Sequence, residues 1–153
     1  MSKPAAMPEV VEVKRTFTAP REKVFEAWRN PQMMAKWFGR GTPGQPLTEI
    51  QVADVRVGGK YQVVVRYQDK VYHMVGAYRE VKPPERLAFT WHWEEADFRD
   101  SLVTVDFREL GSSSFTEVTL RHSLLPENQR EDHRQGWTMC FEMLEGTLRG
   151  EEF

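Results

Sequence analysis

A long stretch between residues 47 and 123, in which apolar and polar side chains alternate, most constrains the fold of this chain. Alternation with a period of two places successive side chains on opposite faces of a β-strand, so each alternating segment predicts a strand. Turn-forming residues separate the segments at Gly58-Gly59, Gln68-Asp69-Lys70 and Pro83-Pro84-Glu85. Strands joined by tight turns pair with their neighbours in antiparallel fashion. The predicted strands are 47–57, 60–67, 71–81, 86–93, 101–109 and 115–123.

Two short helices are predicted ahead of this stretch, after a first strand over residues 9–17. Pro20 and Pro31 suit the first turn of a helix, where the missing N–H of proline needs no acceptor. Asn30 can cap the second helix through its side chain, and Gly39 ends that helix.

A long helix is predicted over residues 129–149, with a capping box formed by Asn128 and Glu131. Apolar residues recur there at helical spacing, which indicates one buried face made of Trp137, Cys140, Phe141, Leu144 and Leu148. The predicted element order is therefore β-α-α-β-β-β-β-β-β-α. This order indicates an α+β fold in which a curved antiparallel sheet wraps around the long C-terminal helix.

Length and charge narrow the class of protein. We expect residues 1–8 to form a flexible N-terminal tail and residues 9–153 a single domain. The 21 Lys and Arg residues against 23 Asp and Glu give a net charge of -2, which argues against a nucleic acid partner. We expect no signal peptide, because residues 1–8 have no apolar core, and the sequence has no apolar run of the roughly 20 residues that a membrane span needs. A single cysteine, Cys140, fits a soluble protein of the reducing cytoplasm.

Several motifs in a fixed order carry a resemblance that covers nearly the whole chain beyond residue 8. They are Ala19-Pro-Arg-Glu-Lys-Val-Phe-Glu-Ala-Trp28, Lys36-Trp-Phe-Gly39, Val57-Gly-Gly-Lys-Tyr61, Gly76-Ala-Tyr-Arg-Glu-Val81, Pro83-Pro-Glu-Arg-Leu-Ala-Phe-Thr-Trp91, Val103-Thr-Val-Asp-Phe107, Thr119-Leu-Arg-His122, and His133 with Gly136-Trp137. The chain resembles the START-like superfamily (SRPBCC, helix-grip fold). Within it, the chain is most similar to homologues of the C-terminal domain of the heat-shock protein 90 ATPase activator.

This resemblance implies a helix-grip domain with an internal cavity for lipidic or other apolar small molecules. The cochaperones that give the family its name carry a further N-terminal domain, so we do not expect chaperone activation from these 153 residues. Some START-like proteins are enzymes, which keeps a cyclase, dehydratase or hydrolase activity open as an alternative.

The concave side of the predicted sheet supplies the candidate ligand-binding residues. They are largely aromatic or aliphatic: Trp37, Tyr61, Val63, Met74, Trp91, Val105, His122, Trp137 and Phe141. Such residues can form a pocket wall with few polar groups, or they can close on one another as an ordinary close-packed core. The glycine- and proline-rich loop over residues 39–46 would gate entry to the pocket.

Histidine and cysteine positions offer little dedicated chemistry. His122 is the candidate polar anchor or proton acceptor, with satisfaction inside the fold as its alternative, and His133 is expected at the rim or surface. His73 and His92 show no metal-binding spacing and are expected to stand apart from any acidic cluster, so no metal or cofactor is predicted. Cys140 is expected to pack as a small apolar residue. The acidic residues near the turn after the fifth predicted strand are expected to be solvated, namely Glu94, Glu95, Asp97 and Asp100.

The sequence thus favours a non-enzymatic binder of a small hydrophobic or amphipathic molecule. The first alternative is a START-like enzyme that uses a cavity histidine. The second is an interaction module, either cochaperone-like or a homodimer that buries sheet or helix surface.

Overall fold

A computed structural model of the protein describes residues 9–40, 45–96, 100–111 and 114–150. Within these residues the elements are β1 (Val11–Phe17), α1 (Arg21–Ala27), α2 (Pro31–Trp37), β2 (Glu49–Ala53), β3 (Lys60–Tyr67), β4 (Lys70–Lys82), β5 (Arg86–Trp93), β6 (Ser101–Glu109), β7 (Thr116–Ser123) and α3 (Glu127–Leu148). Among them, no helix is long and apolar enough to cross a membrane. The predicted tail 1–8, residues 41–44 of the predicted gating loop and Asp97 of the acidic turn lie outside the described residues.

The seven described strands form one antiparallel sheet in the order β1-β7-β6-β5-β4-β3-β2. The chain runs as a meander from β2 to β7, and β1 pairs with β7 at the other edge. Gln68 and Asp69 adopt positive φ of 49° and 63° in the tight turn between β3 and β4. An irregular pairing between Tyr78 and Glu80 shifts the register of β4 against β5, as a β-bulge does where a sheet bends. The predicted α+β helix-grip fold is confirmed.

Helix α3 packs with one buried face against the apolar side of the sheet. That face contains the predicted stripe of Trp137, Cys140, Phe141, Leu144 and Leu148. Trp28, just after α1, lies at the centre of the core, with its ring centroid 4.5 Å from that of Trp37 and 6.1 Å from that of Phe141. Aromatic packing therefore joins all three described helices into one core.

The opposite face of the sheet is charged. Arg86 lies between Glu80 at 2.6 Å and Asp106 at 2.8 Å, and Arg121 approaches Glu12 at 3.8 Å. Partly exposed pairs of this kind each stabilise a protein by roughly 0–1 kcal/mol. They identify this face as the solvated one, so the face under α3 is the apolar side of the sheet.

Two predicted boundaries are wrong. Helix α3 begins at Glu127 after Pro126 and has no side-chain cap, so the capping box of Asn128 and Glu131 does not form. The Glu131 carboxylate instead accepts hydrogen bonds from Arg134 and Gln135, which lie further along the helix.

Strand β2 is also shorter than the predicted 47–57. After Ala53 the Asp54 N–H still donates to the Lys60 carbonyl at 3.0 Å, and the chain then turns, with the Arg56 N–H donating to the Asp54 carbonyl at 2.9 Å. Val57 is left 67% exposed in the turn that leads into β3.

Candidate functional site

A pocket of about 610 Å³ lies between strands β3–β5 and the first half of α3. Ligand pockets in proteins have volumes of roughly 300–1,000 Å³. The wall is largely apolar, with polar groups contributed by α3 and by the end of β5. The lining residues are Gly39, Gln45, Val65, Tyr67, Tyr72, Trp91, Trp93, Glu95, Ala96, Gln129, Asp132, His133, Gln135, Gly136, Trp137, Met139 and Cys140. Several of them are exposed, so the pocket is open to solvent.

Perpendicular aromatic rings form one wall of the pocket. The Trp91 and Trp93 ring centroids are 5.6 Å apart at an interplanar angle of 85°, and those of Tyr72 and Trp93 are 6.0 Å apart at 76°. Trp91 and Trp93 are two residues apart on β5, so the strand period places both on the apolar face. Trp137 comes from α3 and brings its ring centroid to 4.8 Å from that of Trp91.

His122 is buried beneath this wall with both ring nitrogens satisfied. Its Nδ1 accepts a hydrogen bond from the Trp137 indole N–H at 3.0 Å. Its Nε2 lies 2.7 Å from the Ser101 hydroxyl, which itself donates to the Trp91 carbonyl oxygen at 2.9 Å. This arrangement requires the neutral tautomer with hydrogen on Nε2. Burial, helped by the nearby ring of His133, holds the pKa of His122 well below its usual value.

His133 is the second histidine at the pocket and holds a second indole. Its Nε2 accepts a hydrogen bond from the Trp93 indole N–H at 3.1 Å. Its Nδ1 lies 2.8 Å from the Gln129 carbonyl oxygen and therefore carries the hydrogen. Burial lowers the pKa of His133, although the Gln129 carbonyl and the Asp132 carboxylate oppose that shift. The two histidines thus fix the orientation of two indole rings.

The pocket wall also carries two carboxylates, Glu95 after β5 and Asp132 on α3. Glu95 accepts hydrogen bonds from the His73 backbone N–H at 2.7 Å and from the His73 ring Nδ1 at 2.9 Å. Burial tends to raise the pKa of Glu95, but the hydrogen bonds from His73 outweigh it and lower the pKa overall. Glu95 is therefore ionised at neutral pH.

His73 lies beside acidic residues, which corrects the expectation that it stands apart from them. The ligand-capable atoms of His73, Glu94 and Glu95 are all within 4.8 Å of one another. The sequence spacing of more than twenty positions concealed this cluster, because the pairing of β4 with β5 creates it. Its exposed position and the bond between His73 and Glu95 are also typical of an ordinary surface hydrogen-bonded cluster.

Cys140 lines the pocket from α3 but is poorly suited to nucleophilic chemistry. Burial raises the pKa of its thiol to about 11, against the smaller opposing effect of the Gly39 and Arg40 backbone N–H groups. A thiol with so high a pKa is protonated at neutral pH, whereas reactive cysteines have lowered pKa values.

The segment after α2 forms the edge of the pocket through Gly39 and Gln45. Arg40, only 2% exposed, joins the two ends of this segment by donating to the Lys36 carbonyl at 2.7 Å and to the Gln45 carbonyl at 2.6 Å. Gly39 has a φ of 80°, and a Cβ at this position would lie 2.8 Å from Val65. This close approach explains the glycine at the end of α2.

The nine predicted ligand-binding residues are all at most 5% exposed, and the structure separates them into two groups. Trp91 and Trp137 line the pocket. The others pack in the interior and are not among the lining residues, namely Trp37, Tyr61, Val63, Met74, Val105, His122 and Phe141. His122 reaches the pocket indirectly, through its hydrogen bond with Trp137.

Sequence reasoning missed Tyr72, Trp93, Glu95 and Asp132 as pocket residues and expected His133 only at the rim or surface. For Trp93 a signal was available, because it shares the face of Trp91. The pocket lies at the end of β5 rather than at its middle, and candidates taken from mid-strand positions therefore fall in the core.

Solved structures share this fold at low sequence identity. The chain is similar to a protein from Chromobacterium violaceum with a TM-score of 0.78 and 23% identity, covering 93% of this chain and 98% of that one. A protein from Arthrobacter aurescens gives a TM-score of 0.80 at 17% identity, covering 92% of this chain and 86% of that one. CalU16 from Micromonospora echinospora gives a TM-score of 0.68 at 22% identity, covering 94% of this chain and 80% of that one. No curated protein matches the chain in sequence.

A family model described as Activator of Hsp90 ATPase homolog 1-like protein matches residues 18–149. The match runs from the end of β1 to the end of α3 and so includes the whole pocket. Together with the similar solved structures, it confirms the START-like helix-grip superfamily. The chain therefore belongs to the family of activator of Hsp90 ATPase homolog 1-like proteins.

Proposed function

We propose that this protein binds a small apolar or amphipathic molecule in the pocket between β3–β5 and α3. The observation that carries the proposal is the aromatic wall itself, in which Trp91, Trp93 and Trp137 line an open volume of about 610 Å³. Large rigid rings supply apolar contact area, and each buried Å² of apolar surface contributes about 25 cal/mol before the costs of ordering.

The hydrogen bonds beneath the wall support the same function. Trp137 is held by His122 and Trp93 by His133, so the two indole rings are already oriented. Binding to such a wall costs less side-chain entropy than binding to free rings. Met139, partly exposed at the pocket edge, adds an adaptable apolar side chain.

The enzyme alternative with His122 as its acid or base receives less support from the described residues. A cavity acid or base needs a nitrogen or carboxyl that can reach the reacting proton. Both nitrogens of His122 are engaged by Ser101 and Trp137, and neither hydrogen bond leaves a lone pair for a pocket guest. These contacts are typical of a histidine that positions its neighbours.

Substitution of Gly136 gives a direct test. Gly136 lines the pocket from α3, and a Cβ at this position would meet no atom within 4 Å. We expect Gly136→Leu to fill the pocket without disturbing the core, and to weaken binding of the neutral fluorescent probe Nile red by at least about tenfold. The measurement is a fluorescence titration, accompanied by thermal shifts with a panel of lipids and aromatic ligands.

Thr138→Leu is the matched control, because Thr138 is exposed on the same helix and is not among the residues that line this pocket. It adds a leucine to α3 and should leave Nile red affinity unchanged. Equal affinity in the native protein and Gly136→Leu, or no binding by any ligand of the panel, would overturn the proposal.

A further inference from the structure

We propose that the guest of this pocket is a cationic amphiphile, with a quaternary or protonated amine attached to an apolar body. This inference rests on the proposed function and adds the charge of the ligand. The inference follows from three observations. The ionised side chains of the wall are carboxylates, these carboxylates do not pair with a described lysine or arginine, and the aromatic rings of the wall stand at nearly right angles.

The ionised side chains on the described pocket wall are all negatively charged. Glu95 and Asp132 are carboxylates, and no described lysine or arginine lines the pocket. The ring nitrogens of His133 are tied to Trp93 and Gln129 in the neutral tautomer, so His133 adds no positive charge at neutral pH. The ionised side chains of the described wall therefore attract a cation that enters this site.

Neither carboxylate pairs with a described lysine or arginine, in contrast to carboxylates elsewhere in the molecule. Asp54, Asp106 and Glu145 each pair with an arginine. The Glu95 carboxylate instead pairs with the exposed His73 ring. The negative charge at the pocket is therefore not cancelled by a fixed cation.

The ring geometry suits a cation as well. Tyr72, Trp93 and Trp91 follow one another at nearly right angles, with interplanar angles of 76° and 85°. The face of an aromatic ring carries negative electrostatic potential, and walls of several such rings bind quaternary ammonium groups. The partial positive charge at the start of α3 opposes a cation, but Glu127 in the first turn offsets it.

Three octyl amphiphiles that differ only in the head group test the inference: octyltrimethylammonium, 1-octanol and octyl sulfate. We expect the cation to bind at least about tenfold more tightly than the alcohol, and the anion to bind most weakly. Calorimetric titration below the micelle concentration measures the affinities. Raising the salt concentration should reduce the preference for the cation, because salt screens exposed charges.

Charge-removing variants then assign the preference to the wall. Glu95→Gln and Asp132→Asn should each reduce the ratio of cation to alcohol affinity several-fold. Glu142→Gln is the control, because it removes one negative charge from an exposed position of α3 that is not among the lining residues. It should leave the ratio unchanged.

The outcomes separate this inference from the proposed function. If 1-octanol and Nile red bind but the cation has no advantage, the inference is overturned and apolar binding stands. If 1-octanol, Nile red and the cation all fail to bind, both this inference and the proposed function are overturned. A preference for the cation that persists in the Glu95→Gln, Asp132→Asn double variant would overturn the role of the two carboxylates.

Discussion

At the scale of single residues, Gly76 shows how closely the backbone of β4 approaches its neighbours. The Tyr61 hydroxyl donates to the Thr90 carbonyl oxygen at 2.6 Å. A Cβ at Gly76 would lie 2.0 Å from that same carbonyl oxygen and 2.6 Å from the Tyr61 ring. A glycine inside a strand commonly marks such a close approach, so the residue type here follows from packing and not from a turn.

We predict that Gly76→Ala lowers the free energy of unfolding by about 2 kcal/mol or more, because overpacking against a backbone atom forces strands to move. Urea denaturation monitored by tryptophan fluorescence measures this change in the free energy of unfolding. Gly136→Ala is the matched control: its Cβ meets nothing within 4 Å, and alanine favours a helix over glycine by up to about 1 kcal/mol. A Gly76→Ala protein as stable as the native one would contradict the packing described for β3–β5.

At the scale of elements, the connection from α2 to β2 depends on one buried cation. The Arg40 guanidinium donates to carbonyl oxygens on both sides of this connection, at Lys36 and Gln45. Burial lowers the pKa of Arg40, yet a guanidinium remains protonated because its ordinary pKa is so high. The Gln45 side chain continues the link by donating to the Gly39 and Arg66 carbonyls at 3.2 Å.

We predict that Arg40→Lys destabilises the protein by about 1–3 kcal/mol, because an ammonium group cannot reproduce the forked contacts and buried acceptors are left unsatisfied. It should also weaken Nile red binding, since Gly39 and Gln45 line the pocket. Urea denaturation and fluorescence titration measure the two effects. Arg56→Lys, at an exposed position, is the control and should be neutral. Unchanged stability in Arg40→Lys would show that its carbonyl contacts are dispensable.

Most elements were predictable from the sequence because local signals dominate them. The strands that alternate cleanly and end at strong turns were located to within one or two residues, as β3 and β5 illustrate. The start of α3 was not predicted correctly, because Pro126 fixes the chain direction there and the Asn128 side chain does not cap the helix. The end of β2 was also not predicted, since backbone hydrogen bonds from Arg56 to Asp54 and from Gly59 to Arg56 turn the chain earlier than its apolar pattern indicates.

At the scale of the whole molecule, core and pocket coexist at different depths under α3. The cluster around Trp28 fills the interior, while Trp91 and Trp137 form both part of that packing and part of the pocket wall. The sequence identifies which strand face is apolar, but the boundary between filled and open volume depends on how α3 lies over the strand ends. That position results from long-range packing, which a pattern of single residues does not encode.

The two pocket histidines also make the stability of the whole molecule depend on pH. Protonating His122 on Nδ1 would place its new N–H against the Trp137 indole N–H, and protonating His133 on Nε2 would do the same at Trp93. The folded state therefore keeps both rings neutral, with pKa values below the ordinary 6.5. In the unfolded chain both bind protons below that pH, so acid favours unfolding.

We predict that the free energy of unfolding is nearly constant between about pH 7 and about pH 8 and falls as the pH drops below about 6.5, because both histidines bind protons more readily in the unfolded chain. The lowered pKa values of Glu95 and Glu131 act only below their ordinary 4.5, outside this window. Urea denaturation across the range measures the slope. His122→Gln should be less stable at neutral pH yet show a flatter slope, because it binds no proton in the unfolded state. A His122→Gln slope equal to the native one would contradict the assigned tautomer.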